Sequence, residues 1–187
     1  LLKVCGIQDE KTAKFCEGQG VDFIGFNFYK ESPRYISPEK AKKIMSSLKR
    51  VKKVGLFVDE DLEYVNKVAR ELDLDYVQLH GKETPDYCVQ VDCPVIKAFE
   101  SGDSIDEFKN VIQFPLIDIK KGSDGVINLG KEPSQPYFMA GGLDADNIKN
   151  AMNGFHPFAL DVARGVETDG QKDSEKILQF INQLQSC

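Results

Sequence analysis

Short apolar runs rich in β-branched and aromatic residues recur along the chain, with polar segments between them. The runs are LLKVC, DFIGFNF, KKVGLFV, DYVQLH, CPVIKAF, FPLIDI, PYFMAGG and PFALDV. Most are nearly continuous rather than alternating, which is typical of parallel strands that helices cover. The pattern therefore predicts eight parallel strands spread through the sequence.

Helix signals lie between most of these runs. Ser37 and Thr84 each precede a proline, the arrangement of an N-cap followed by proline at the first helical position. Asp144 is expected to cap the segment DADNIKNAM. In the last predicted helix, DSEKILQFINQL, the positions expected to be buried are Ile177, Leu178, Ile181 and Leu184. The segment KKGSDGVINLGKEPSQP carries no apolar stripe and is predicted to be irregular.

Strands that alternate with helices favour a single α/β domain over residues 1–187, a (β/α)8 barrel with an irregular segment after the sixth strand. A flavodoxin-like sheet uses about five strands and would leave several runs unassigned. The chemistry of such barrels lies at the carboxyl ends of the strands. Candidate site residues at those ends are Cys5, Asn27, His80, Lys97, Asp118, Gly141, Gly142 and Asp161.

Composition restricts the partners of such a barrel. The net charge is −6 and basic residues do not cluster, so neither nucleic acid nor a membrane surface is an expected partner. No apolar run is long enough to span a bilayer and no signal peptide is recognisable, so a cytoplasmic protein is predicted. The five cysteines show no paired spacing and are expected to be reduced, with Cys16, Cys88 and Cys93 as packing residues.

The sequence offers little for a metal or a cofactor. His80 and His156 are its only imidazoles, and neither lies in a metal-ligand spacing. We therefore expect no metal, no cofactor, and a small-molecule substrate as the partner. A monomer and a homodimer both remain open.

Several motifs follow one another in the order found in one enzyme family. They are KVCGI, SPRYIS, VQLHGKETPDY, PVIKAF, MAGGLDADNI and LDVARGVETDGQKD, and they are spread over essentially the whole chain. In these motifs the chain resembles phosphoribosylanthranilate isomerase of tryptophan biosynthesis. The resemblance implies a small metal-free (β/α)8 barrel that performs an Amadori rearrangement. In that reaction a phosphoribosyl anthranilate, an aminoaldose, becomes an aminoketose.

The resemblance assigns two residues to proton transfer. Cys5 matches the general base that takes the proton from C2′ of the opened sugar, and Asp118 matches the general acid that protonates the ring oxygen. A free thiol is mostly protonated at neutral pH, so the site must favour the thiolate. The acid needs surroundings that keep its proton in place. Simple packing of Cys5 and loop capping by Asp118 are the structural alternatives.

The same resemblance assigns binding residues. Arg34 matches the arginine that holds the anthranilate carboxylate, which a planar guanidinium suits; a solvated loop charge is its alternative. Asp161 and His80 are expected to contact the substrate, with a structural carboxylate and a hydrogen-bonding imidazole as their alternatives. Phosphate is expected on the loops after the seventh and eighth strands, at Gly141, Gly142, Arg164 and Gly165.

Two segments depart from the family's usual pattern. KKGSDGVINLG stands where a glycine-rich GGTGKTFDW-like stretch usually follows the acid strand. DVARG stands for D-V-S-[SG]-G, so Ala163 removes a hydroxyl and Arg164 adds a cation. That cation either replaces the hydroxyl at the phosphate or points into solvent. These changes leave open a barrel that binds a phosphorylated ligand without turnover. Other phosphosugar barrels fit less well, because the histidine-pathway isomerase uses paired aspartates and a phosphate epimerase needs a metal set.

Overall fold

A closed barrel of eight parallel strands organises the computed structural model, which describes residues 1–100, 102–119 and 132–186. Each strand pairs with the next in chain order, and the last pairs with the first. The strands are β1 (Leu2–Cys5), β2 (Phe23–Asn27), β3 (Lys52–Phe57), β4 (Tyr76–Leu79), β5 (Val95–Glu100), β6 (Phe114–Asp118), β7 (Phe138–Ala140) and β8 (Ala159–Val162). The predicted barrel is confirmed. The irregular segment predicted after β6 falls largely on residues 120–131, outside the described residues.

Helices cover the outside of the barrel. In the described ranges they are α1 (Glu10–Gly18), α2 (Pro38–Met45), α3 (Leu62–Leu72), α4 (Pro85–Val89), α5 (Ile148–Met152) and α6 (Ser174–Gln185). Ser37 and Thr84 cap α2 and α4 through their side chains, as predicted. Asp144 does not cap α5 directly. Its carboxylate accepts from the amides of Asp146 and Asn147 and so closes a turn just before the helix.

Helix α6 buries a slightly different face from the predicted one. Ile177 and Ile181 are buried as expected, but the third large buried side chain is Phe180, while Leu178 and Leu184 are only half-buried. Positions three and four apart share a helix face, so Ile177 shares its face with both Phe180 and Ile181. Among the helices of the described residues, none combines the length and apolarity needed to cross a membrane.

Alternation along the strands divides side chains between the helix-facing layer and the barrel interior. On β1, Val4 packs in the helix-facing core, while Lys3 and Cys5 point inward. Aromatic rings from the amino-terminal ends of the strands fill the lower interior: Phe23, Tyr76, Phe114, Phe138 and Phe158. Their packed ring centroids lie between 4.6 and 6.4 Å apart. Polar side chains therefore gather at the other end of the interior.

Candidate active site

A cavity of about 300 Å³ opens at the carboxyl ends of the strands. All the predicted site residues but two line it: Cys5, Asn27, Arg34, His80, Asp118, Gly141, Gly142, Asp161 and Arg164. The exceptions are Lys97, which is described below, and Gly165, which borders a second cavity that shares Gly142 and Arg164 with the first. The barrel thus brings together residues that are up to about 160 positions apart in the sequence.

Cys5 ends β1 above a buried ion pair. Lys3, two residues earlier on the same face of the strand, is fully buried, and its Nζ lies 2.8 Å from Oδ2 of Asp161. Gly25 on β2 makes room for both side chains, because a Cβ there would lie 2.7 Å from Sγ of Cys5 and 3.1 Å from Nζ of Lys3. Burial raises the pKa of the Cys5 thiol, and the ammonium groups of Lys3 and Lys172 only partly oppose this effect. The resting form of Cys5 at neutral pH is therefore the thiol.

The ion pair beneath Cys5 leaves one oxygen of the carboxylate without a hydrogen-bond partner among the described residues. Burial acts to lower the pKa of Lys3, but Asp161 and Cys5 outweigh it and raise the pKa above its ordinary value, so the ammonium stays charged. Oδ1 of Asp161 is buried and has no hydrogen-bond partner among the described residues. Such an unmet acceptor costs about 1–3 kcal/mol. A ligand hydroxyl in the cavity would satisfy it.

Asp118 ends β6, which β7 and β8 separate from β1 in the closed barrel. Its Oδ2 lies 3.5 Å from Nε2 of His80, and the other ring nitrogen of His80 lies 3.3 Å from Nε2 of Gln78. The Gln78 amide thus orients the imidazole toward the carboxyl group. Oε1 of Gln78, like Oδ1 of Asp161, is buried without a partner among the described residues. Two unpaired acceptors therefore belong to residues that line the same cavity.

The loop between β2 and α2 carries Arg34. Asn27 at the end of β2 donates a hydrogen bond to Oγ of Ser32, which accepts another from the backbone N–H of Arg34. The guanidinium forms a two-point salt bridge with Glu167, with Nε 2.7 Å from Oε1 and Nη2 2.6 Å from Oε2. Glu167 thus holds Arg34 along one edge of its guanidinium.

Gly6, which follows Cys5, leaves space for the side chain of Arg34. Gly6 has φ of +83°, a conformation that favours glycine, and a Cβ there would lie 2.5 Å from Cδ of Arg34. The Cys5-Gly6 pair therefore places a thiol at the mouth of the barrel and leaves space for the arginine beside it.

The loops after β7 and β8 approach each other through their backbones. Gly141 has φ of +107°, and a Cβ there would lie 2.0 Å from the carbonyl oxygen of Ile119. A Cβ on Gly165 would lie 1.9 Å from the carbonyl oxygen of Leu143. Glycine is required at both positions, and the exposed Arg164 lies beside them on the border of both cavities.

Lys97 is a structural residue rather than part of the cavity. It lies within β5, and its buried Nζ is 3.2 Å from Oε2 of Glu83 and 2.8 Å from the carbonyl oxygen of Gly81. The cysteines of the described residues are unpaired: Cys5, Cys16, Cys88 and Cys93. Burial raises the pKa of Cys16 to about 12, which suits a packing role.

Three residues at the site were not predicted. Lys3 and Gln78 lie two positions before Cys5 and His80, so the two-residue period of a strand places them on the same inward face. That period was the available signal. Glu167 is 133 positions from its partner Arg34 and carries no local signal.

A parallel eight-stranded barrel with a thiol, a carboxyl group and an arginine around one cavity at its strand ends is a TIM-barrel enzyme. The family profile of N-(5′phosphoribosyl)anthranilate (PRA) isomerase matches residues 2–183. The chain is 37% identical to N-(5′-phosphoribosyl)anthranilate isomerase of Geobacter metallireducens, over 99% of this chain and 98% of that protein. It is 38% identical to the isomerase of Trichlorobacter lovleyi, over 96% and 95%. The chain belongs to the PRA isomerase family.

Solved structures agree with this assignment. Phosphoribosyl anthranilate isomerase from Thermotoga maritima matches with a TM-score of 0.86 at 32% identity, covering 100% of this chain and 98% of that one. A phosphoribosyl anthranilate isomerase in complex with reduced 1-(o-carboxyphenylamino)-1-deoxyribulose 5-phosphate matches with a TM-score of 0.83 at 32% identity, with the same coverage. The predicted family is confirmed, and with it the prediction of an aldose–ketose isomerase of tryptophan biosynthesis.

Proposed function

We propose that Cys5 and Asp118 perform the proton transfers that convert N-(5′-phosphoribosyl)anthranilate into 1-(o-carboxyphenylamino)-1-deoxyribulose 5-phosphate. The observation that carries this proposal is that both side chains line one cavity from two different strands, which β7 and β8 separate. A base and an acid that act on one sugar must reach it from different directions.

The reaction begins when Asp118 donates a proton to the furanose oxygen. The C1′–O bond breaks, and the nitrogen lone pair forms an iminium at C1′. The Cys5 thiolate then takes the proton from C2′, and the electrons of that bond neutralise the iminium to give an enolamine. A proton added at C1′ and another lost from the C2′ hydroxyl complete the aminoketose. The protons balance, as an isomerisation requires.

The electrostatics of the site fit this sequence of charges. Burial favours the protonated thiol of Cys5, so the charges of the bound substrate must favour the thiolate. The iminium places a positive charge next to the carbon that loses its proton, and a nearby cation favours the thiolate. Lys3 and Lys172 act on the thiol in the same direction.

Each binding group at the site matches one chemical group of the substrate. Arg34 is suited to the anthranilate carboxylate, and the glycine loops with Arg164 are suited to the phosphate. The unpaired oxygens of Asp161 and Gln78 are suited to sugar hydroxyls, which donate hydrogen bonds. His80 orients Asp118 and needs no proton transfer of its own. The complex of a relative with a reduced product analogue supports a small-molecule ligand of this chemical class.

Three further assignments belong to this proposal. The protein is a single domain that works in the cytoplasm as a monomer or a homodimer. A matching structure is described as mutually generated monomers of the dimeric phosphoribosylanthranilate isomerase from Thermotoga maritima, at 33% identity and a TM-score of 0.85. Sedimentation of the purified protein at several concentrations distinguishes the two assemblies.

An anthranilate-fluorescence assay tests the proposed function. N-(5′-phosphoribosyl)anthranilate is generated in place, and the purified protein is added. Saturable loss of substrate fluorescence with formation of the aminoketose supports the isomerase. Saturable binding without any change of the substrate would overturn it and would indicate a barrel that binds its ligand without turnover. Growth of an isomerase-deficient tryptophan auxotroph on the expressed chain gives an independent readout.

A further inference from the structure

A short hairpin follows β8 and faces Arg34. It consists of β9 (Glu167–Thr168) and β10 (Gln171–Lys172), and its register places Glu167 opposite Lys172. The hydroxyl of Thr168 donates to Asp173, the residue that caps α6, at 2.7 Å. The hairpin is thus fixed to the helix that follows it, and Glu167 is presented from a rigid element.

Glu167 occupies one particular edge of the Arg34 guanidinium. Its two oxygens accept from Nε and Nη2, at 2.7 and 2.6 Å. A guanidinium has five N–H donors and a second two-point edge formed by Nη1 and Nη2. Arg34 lines the cavity, so this second edge suits a second carboxylate.

A single carboxylate on Arg34 would neutralise the arginine and weaken its attraction for another anion. Lys172 prevents this, because its Nζ contacts the same Glu167 carboxylate and also donates to the carbonyl oxygen of Ala163 at 3.0 Å. Two cations and one anion give this cluster a net charge of +1. Burial acts to raise the pKa of Glu167, but Arg34 and Lys172 outweigh it and hold the pKa below its ordinary value, so the carboxylate stays ionised. The contact of the Glu167 carboxylate with Arg34 and Lys172 is called the clamp below.

We propose that Glu167 and Lys172 are positioning residues for substrate recognition. Glu167 holds Arg34 by one edge so that the other edge meets a carboxylate ortho to the amine of the aryl substrate. Lys172 keeps the cluster positive. This inference rests on the proposed role of Arg34, and it assigns a task to the hairpin that follows the last strand.

The first test compares KM and kcat for the Glu167→Gln variant. We expect KM for the phosphoribosyl anthranilate to rise about ten-fold, as expected for one ordered charge-assisted contact, with kcat within about two-fold. The analogue made from aniline, which lacks the carboxylate, should show no change in KM. An equal loss with both substrates would overturn the inference, because a general structural role affects both alike.

The double variant Glu167→Gln with Lys172→Met separates geometry from charge. It keeps a net charge of +1 through Arg34 alone but has lost the clamp. KM should remain raised if Glu167 positions Arg34. A return of KM to the wild-type value would overturn the positioning role, because Arg34 would then bind the carboxylate equally well without Glu167. Glu167→Asp, which keeps the charge and withdraws the oxygens, should also raise KM and serves if Glu167→Gln folds poorly.

The Arg34→Met variant distinguishes this inference from the function on which it rests. If Arg34→Met leaves KM for the phosphoribosyl anthranilate unchanged, both the carboxylate-binding role of Arg34 and the inference fail. If Arg34→Met raises KM but Glu167→Gln does not, only the inference fails. The inference expects Glu167→Gln to have no further effect on KM in an Arg34→Met background. Inhibition by inorganic phosphate should be unchanged in all these variants.

Discussion

The two ends of the barrel interior are built from opposite materials. The amino-terminal end is closed by aromatic rings packed edge to face, tilted or stacked, among them Phe114 and Phe158 at 4.6 Å between centroids. The carboxyl-terminal end holds a buried ion pair and two buried acceptor oxygens without partners among the described residues. The amino-terminal end is packed like a hydrophobic core, whereas the carboxyl-terminal end contains buried acceptors whose hydrogen bonds are not made within the described residues.

In this fold the aromatic end of the barrel mainly contributes stability, and the polar end mainly contributes ligand binding and catalysis. Buried aromatic surface contributes roughly 1.5–3 kcal/mol for each side chain, whereas an unpaired buried acceptor costs about 1–3 kcal/mol. Unmet groups at one end are tolerated because the other end is well packed, and they become useful when a ligand supplies the missing donors. Variants at the two ends should therefore fail in different ways.

The largest effect on turnover is expected from Asp118→Asn, at the carboxyl-terminal (upper) end of the barrel interior. An amide cannot protonate the ring oxygen, so kcat should fall by about a thousand-fold, within the range for loss of a general acid. Thermal unfolding should be nearly unchanged. The matched control is Asp86→Asn, an exposed carboxylate at the start of α4. Retention of more than a tenth of wild-type turnover by Asp118→Asn would remove it from the role of acid.

Phe138→Ala, at the amino-terminal (lower) end of the barrel interior, is expected to lose stability and to keep its turnover. Phe138 is fully buried among the other rings, so the variant should lose about 3–5 kcal/mol of unfolding free energy in urea. Well below its unfolding temperature, turnover per folded molecule should stay within about two-fold of wild type. A large change in kcat with intact folding would show that the two ends are not independent.

Lys3→Met tests whether the upper ion pair serves stability. Leaving Asp161 buried without its cation should destabilise the protein by about 3 kcal/mol, because breaking one side of a buried pair strands the other charge. The double variant Lys3→Met with Asp161→Leu should recover most of that loss in urea unfolding and remain inactive. If the double variant is as unstable as the single one, the pair contributes stability in its own right.

A smaller effect is expected in acid, from Glu167. Its pKa is held below the ordinary value, so its stabilising contribution is present above the unfolded value of about 4.3 and is lost as pH falls through the folded value. The unfolding free energy of the wild type should therefore drop below about pH 4 more steeply than that of Glu167→Gln, by about 1 kcal/mol. Glu63→Gln, an exposed acid on α3, is the control and should follow the wild type. If the unfolding free energies of Glu167→Gln and the wild type depend on pH in the same way below about pH 4, Glu167 is not ionised in the folded protein as proposed.

The sequence predicts the barrel well because its strands are apolar runs and its helices begin at visible caps such as Ser37. It also places the thiol and Asp118 at the strand ends, because register follows from where each run stops. Lys3 could have been placed inside the barrel, because it lies two positions before Cys5 and the two-residue period of a strand puts both residues on one face. The contact between Arg34 and Glu167 joins distant loops, and only the closed fold brings them together.

The most direct test of the account measures turnover and ligand binding together in Cys5→Ala. The account predicts that turnover falls by about a thousand-fold, as for loss of a general base, while the reduced product analogue binds within about three-fold of its wild-type Kd. Cys93→Ala, a half-buried thiol away from the cavity, should retain both properties. Turnover in Cys5→Ala within ten-fold of wild type would contradict the central claim that this thiol removes the proton from C2′.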